Sequence, residues 1–173
     1  MSEQIDNPLQ DEVSREASPV ESRNIQQFIS FKVGDEEFAI DIMAVREIKG
    51  WTATAPLPNQ PEYNLGVLNL RGTIVPTFDL RCRFGMGRTK TTPYHVVIIA
   101  SVQERTIGLL VDAVSDILTV NEDQIRPVPD MERITAAEFL SGIITVEESM
   151  VVLLSLEKLF HRGETSSSAE LAA

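Results

Sequence analysis

FISFKVGDEEFAIDIMAVREI, residues 28–48, lies without a gap over VIIASVQERTIGLLVDAVSDI, residues 97–117. Ile29, Val33, Ala44, Val45 and Ile48 meet the identical Ile98, Val102, Ala113, Val114 and Ile117. Acid meets acid where Asp35 faces Glu104 and Glu47 faces Asp116. A second gapless pair, 66–84 over 142–160, sets Gly66 on Gly142, Val75 on Val151, Leu80 on Leu156 and Phe84 on Phe160. Two copies of roughly 70 residues are too few and too long for a solenoid, so the chain is an internal duplication (repeats 28–84 and 97–160). The seam between two such modules is a natural place for a partner. The copies part at one point: Asn69-Leu70-Arg71-Gly72 stands where the second has Thr145-Val146-Glu147-Glu148. Function is read in that difference.

Around these segments the pattern is one of short β-branched runs. Residues 27–33 and 37–42 flank Gly34-Asp35-Glu36, and residues 67–70 and 73–78 flank Arg71-Gly72. In the second copy 95–101 and 106–111 flank Gln103-Glu104-Arg105, and 143–146 and 150–154 flank Glu147-Glu148. Each reads as a hairpin. Asp79 before 80–84 and Ser155 before 156–160 can each cap a short helix, because a side-chain oxygen there accepts from orphan backbone donors. Thr135-Ala136-Ala137-Glu138 has capping-box spacing. Residues 52–61 and 123–130, with their prolines, are predicted to be extended, and 85–92 to connect the copies. Several short strands per copy predict two small closed barrels, with exchange of strands between the halves left open. The fold expected is all-β: two five-stranded barrels related by duplication, with a few short helices. Residues 25–160 form this domain.

The chain has 173 residues, 43% of them hydrophobic, enough to bury a real core. Its net charge of −11 argues against a nucleic-acid partner, since duplex binding needs lysine and arginine against phosphate. Residues 1–24 carry six acids against Arg15 and Arg23; this leader and the Ser-rich tail, 161–173, are expected to be disordered. No apolar run approaches the roughly 20 residues of a membrane span, and no signal pattern opens the chain. A single cysteine, Cys82, makes no internal disulfide and fits a reducing, cytoplasmic setting.

Catalysis usually needs a base, a nucleophile or a metal at workable geometry. His95 begins a strand and His161 follows a helix end, both read as surface or end-capping imidazoles. Cys82 reads as a small buried hydrophobe. Gly85-Met86-Gly87 lacks the lysine-serine and context of a phosphate loop, and no calcium-loop spacing is present. No catalytic residue, metal site or cofactor is expected. The chain reads as a binding module, against a small β-barrel enzyme or nucleic-acid binder.

Gly72 is explained by a turn that demands positive φ. Arg71 is not: a turn needs no arginine. It follows the amide of Asn69 and precedes a strand whose Pro76 cannot donate to a ladder, a good position for a bidentate pair or a partner contact. Val45 and Ile48, matched in the second copy, are expected in or near the core. Glu47 is expected to meet Arg71 in the first copy only, because Glu147 stands at the equivalent place in the second.

Residues 34–42, 45–48, 66–72, 74–81 and 108–114, with Gln124-Ile125-Arg126-Pro127, together resemble the CheW family of chemotaxis coupling proteins, over about residues 28–160. The resemblance implies two SH3-like barrels with a groove between them and no catalysis. It implies an adaptor that joins the cytoplasmic tip of methyl-accepting chemoreceptors to the regulatory domain of the histidine kinase CheA. It also implies recruitment from the cytoplasm to membrane-associated receptor arrays without insertion. Val45, Glu47, Gly66, Asn69, Leu70, Arg71 and Gly72 match the family's partner-binding positions. Arg46 replaces a neutral residue of some relatives, and the acidic leader is outside the family pattern. The second reading keeps the fold as a CheW-like regulatory segment of a larger kinase or receiver-fused protein.

Overall fold

The structure, a computed structural model, describes residues 24–129 and 137–160. The leader before Asn24, the Thr135 helix start, His161 and the Ser-rich tail lie outside the described residues. Strands β1 (Ile25–Val33), β2 (Glu36–Asp41), β3 (Val45–Gly50), β4 (Asn64–Leu70) and β5 (Thr73–Asp79) lead to the one-turn helix α1 (Leu80–Arg83). The second copy supplies β6 (Val96–Val102), β7 (Arg105–Val111), β8 (Ala113–Asn121), β9 (Ile125–Arg126), β10 (Leu140–Val146), β11 (Ser149–Leu154) and α2 (Leu156–Leu159).

These strands make two sheets, in the orders β8-β1-β2-β11-β10-β9 and β3-β6-β7-β5-β4. The fold is all-β, as the hairpin pattern predicts. The first sheet has six strands rather than five because Ile125 and Arg126, in a stretch read only as extended, pair with Ile144 and Ile143. Each sheet draws on both copies. The β1–β2 hairpin of the first copy sits between β8 and β11 of the second, and the β6–β7 hairpin of the second between β3 and β5 of the first. The joins between copies include the two parallel pairs, β2 with β11 and β5 with β7. A parallel pair cannot be closed by a tight turn: the chain reaches β11 from β2 only after passing through the other sheet, and β7 from β5 by way of α1, the connector and β6.

The matched residues of the repeat explain the arrangement. Ile29 and Ile98, Val33 and Val102, Ile40 and Leu109, Leu80 and Leu156, and Phe84 and Phe160 are all buried in one large cluster shared by the two sheets. Fully burying side chains of this size stabilises by roughly 1.5–3 kcal/mol each, so the seam is the main core. A smaller cluster fills each sheet's other face. Phe28, Ala39, Val120, Ile144, Val151 and Leu153 pack in the first sheet, and Leu68, Val75, Val97, Ile99 and Leu110 in the second. Phe28 to Phe31 are four consecutive buried residues of β1, as expected of a strand covered on both faces.

Each sheet is rolled. In the second, Trp51 beyond edge strand β3 packs into the same cluster as Leu65 and Leu70 of the opposite edge, β4. The intervening chain stitches the gap: Trp51 N–H donates to the His95 carbonyl at 2.9 Å, and Ala55 exchanges two 2.9 Å backbone bonds with Val67. In the first sheet β9 does the equivalent service for β10. A bulge interrupts β3 against β6 between Val45 and Glu47, and another interrupts β1 against β8 at the matching place. The buried Ser30 hydroxyl satisfies the second bulge, donating to the Asp116 carbonyl and accepting from its N–H, both at 3.1 Å.

Both helix caps form. The Asp79 side chain accepts from Cys82 N–H and the Ser155 side chain from Lys158 N–H. Asp79, fully buried, also accepts from the Thr89 N–H and hydroxyl at 2.7 Å each, which clamps the connector between copies onto α1. Cys82 is half-buried rather than buried, because this helix has one turn and α1's only buried residue is Leu80.

Candidate functional site

The turn between β4 and β5 is a two-residue hairpin in which both residues are left-handed, Arg71 at φ 50° and Gly72 at φ 85°. That pair of angles matches the twist of the flanking strands. Arg71, and not Gly72 alone, therefore carries part of the conformational demand, at a cost of roughly 1–2 kcal/mol for a residue with a Cβ. Asn69 pins the turn: its side-chain carbonyl accepts from Gly72 N–H at 2.9 Å. Leu70 points its half-buried side chain into the barrel cluster.

Arg71 reaches Glu47 at 3.4 Å, with the arginine side chain 81% exposed and the glutamate 32%. The pair bridges the two edges of the rolled sheet, since Glu47 lies on β3 and Arg71 follows β4. The bulge at Arg46 sets its geometry: Glu47 stands opposite Ile99, while Val45 stands opposite Ala100 and Ile48 opposite Ile98. Bulges re-aim side chains in this way. In the second copy Asp116 accepts from its neighbour's N–H, Ile117, at 2.8 Å and joins no ion pair among the described residues. The pair exists in one half only.

The remaining sequence-derived positions divide by role. Gly66 is buried, with φ 106°, and a Cβ there would run into the carbonyl of Ala55 and meet the Pro56 Cα at 2.8 Å. Its requirement is the close passage of the stitching segment. Gly72 has open space around it, so the turn angle alone demands glycine. Val45 is half-buried against the central core. Ile48 overturns the expectation of burial: it is 43% exposed, as its counterpart Ile117 is at 52%. Both lie on edge strands beyond the strip that the facing sheet covers, while Ile98, one strand inward, is fully buried.

That correction exposes what the sequence reading missed. Met43 is 78% exposed and lies two residues before Val45; Val45 and Ile48 stand opposite Ala100 and Ile98 on the seam side of β3, and Glu47 opposite Ile99 on the other, so Met43, Val45 and Ile48 set an apolar margin along the seam. Ile74, exposed on β5, follows the turn itself. A cavity of about 280 Å³ opens at the seam next to this margin, lined from one sheet by Asp41 and Leu154 and from the other by Val102, with Ala44 and Glu157. The repeat carries a signal, because Ile48 and Ile117 are identical and both lie on edge strands.

Among the described residues no group of histidine, cysteine and acid side chains is placed to hold a metal ion. Burial pushes the Cys82 thiol above its ordinary pKa, and the carboxylates of Asp79 and Glu62 add to this against a lowering by Arg88. Cys82 is thus a protonated thiol at neutral pH, the reverse of an activated nucleophile. His95 is held rather than free: its Nε2 lies 3.2 Å from Asp112, and its Nδ1 accepts from Thr92 N–H at 3.0 Å. No helix among the described residues is long and apolar enough to cross a membrane.

The family model described as CheW-like domain matches residues 27–164. The probable chemotaxis protein CheW of Rhizobium etli is 46% identical over 83% of this chain and 92% of its own length. Chemotaxis protein CheW of Rhizobium meliloti is 46% identical over the same shares, and that of Klebsiella aerogenes 40% identical over 80% and 84%. The crystal structure of the scaffolding protein TtCheW from Thermoanaerobacter tengcongensis superposes with a TM-score of 0.74 at 30% identity, over 80% of this chain and 94% of that one.

Proposed function

The chain belongs to the CheW family of chemotaxis proteins, and from that premise we propose that it joins chemoreceptors to the regulatory domain of the histidine kinase CheA. It is a non-catalytic scaffold, and its cover of 92% of the rhizobial relatives' length favours a stand-alone adaptor over a regulatory segment of a kinase or a receiver-fused protein. The finer reading assigns its surfaces. The observation that carries it is Arg71, largely exposed, held at a strained turn and paired with Glu47 in one copy only. Glu147 holds a similar left-handed φ at the equivalent turn, so the turn itself calls for no arginine, and an ion pair this exposed contributes little to the fold, which fits a group kept for a partner. Arg71, Glu47 and the neighbouring Asn69 and Gly72 would meet the kinase's CheW-like regulatory domain. The apolar margin of Met43, Val45 and Ile48, beside the seam cavity, would receive the cytoplasmic tip of a methyl-accepting receptor. Leu70 and Gly66 support these surfaces from within. The protein would work in the cytoplasm, recruited to receptor arrays by these contacts without entering the membrane and without nucleic acid or a cofactor.

Reconstitution tests this reading. Receptor-bearing membranes and CheA are combined with and without the chain, and kinase activity and co-sedimentation are scored. The expected result is receptor-dependent kinase activation and sedimentation of the chain only when it is present with receptor. Failure of the chain to sediment with either partner would overturn it.

A further inference from the structure

The chain is strongly acidic, at −11, yet one open cavity of about 580 Å³ is lined by Arg81, Arg88, Lys90, Tyr94, His95 and Asp112. It lies away from the Arg71 turn, where the connector between copies folds back over α1. Its single carboxylate is already engaged. Asp112 Oδ2 accepts from Gly34 N–H at 2.7 Å and faces the Arg81 guanidinium at 3.5 Å, and Oδ1 lies 3.2 Å from His95 Nε2. Arg81 and Asp112 therefore largely cancel, and Arg88 and Lys90 remain as net positive charge on the rim.

The rim is also held in place. Thr89, between Arg88 and Lys90, which form no ion pair among the described residues, is fixed by its two 2.7 Å bonds to buried Asp79, and Thr92 is tied to the His95 ring at 3.0 Å. Anchoring the backbone on either side of Lys90 reduces the ordering needed on binding. Buried Asp79 behind Thr89 offsets part of this charge, yet Arg81, Arg88 and Lys90 outnumber Asp79 and Asp112 here, and acids farther off weigh little, since exposed charges are screened beyond about 8 Å at physiological salt.

We propose that this cavity binds a phosphate-bearing small anion. Arg88 and Lys90 supply the charge, with the part-exposed Arg81 beside them. The test is NMR of the full chain at fixed ionic strength in chloride, titrated with inorganic phosphate, with adenosine diphosphate in a parallel titration. Saturable shifts of the Thr92, Tyr94 and His95 signals are expected with at least one of them. Saturation by phosphate assigns a free anion, and saturation by the diphosphate alone assigns a nucleotide. Arg88→Ala combined with Lys90→Ala alters only exposed side chains, so it should melt like the parent and bind at least about tenfold more weakly. No saturable shift with either anion, or unchanged binding by the folded double variant, would overturn the proposal.

Discussion

Arg71 has two claims on it, the turn and the surface, and substitution separates them. Its ion pair with Glu47 is so exposed that screening leaves it about 0–1 kcal/mol of stability. Alanine at the same φ changes the turn little, so Arg71→Ala should melt close to the parent. Kinase binding should weaken by roughly 2 kcal/mol or more, the usual cost of removing an interface arginine. Glu147→Ala, at the equivalent turn of the second copy, should alter neither; calorimetry and ternary-complex assembly on both variants check this. If Arg71→Ala assembles like the parent, the surface claim fails. Cys82 gives a second residue-scale expectation. Its thiol pKa is raised by burial and by Asp79 and Glu62, so the thiolate forms later on the alkaline side than in a free thiol. Alkylation by iodoacetamide should be slow at mildly alkaline pH and still rising where a cysteine peptide has levelled off. A rate profile matching the peptide's would contradict it.

At the level of elements the two capped helices form a natural control. Ser155 holds one backbone N–H, at 3.4 Å from Lys158, so Ser155→Ala should cost about 1 kcal/mol. Asp79 holds the matching cap and also the Thr89 N–H and hydroxyl. Asp79→Ala loses the cap and strands two donors, together about 2–4 kcal/mol. Urea unfolding should show the larger loss at Asp79, and equal losses would mean that the connector clamp contributes nothing. These caps, and the four hairpins, were legible because turn and cap residues act over three or four positions of chain. Ile48 was misread for the opposite reason: its exposure depends on β3 being an edge strand, which is decided by pairing with β6, some fifty residues away. The Arg71–Glu47 pair was legible from the contrast between copies, although the bulge that aims Glu47 left no local mark. The cavity at Arg81 and His95 was not legible, because it joins α1, the connector and the end of β7 through Asp112.

For the whole molecule the exchanged hairpins matter most. A duplicated sequence satisfies the same contacts whether a hairpin pairs within its own copy or with the other, so sequence alone leaves strand exchange open, and the sheet order decides it. Neither copy then contains a complete sheet. Residues 1–90 and 91–173 expressed separately should each lack a cooperative unfolding transition, while their mixture should regain the circular dichroism of the full chain. The intact chain should unfold in one step. A half that melts cooperatively alone would contradict the exchanged topology. Two identical single-copy chains trading hairpins would build much the same pair of sheets, but as a twofold assembly, in which whatever one end carries the other must carry too. Running both copies through one polypeptide lifts that obligation. One end can keep an arginine and the other a glutamate at the same turn, so the molecule acquires a head and a tail and can be laid into a larger structure in one direction only.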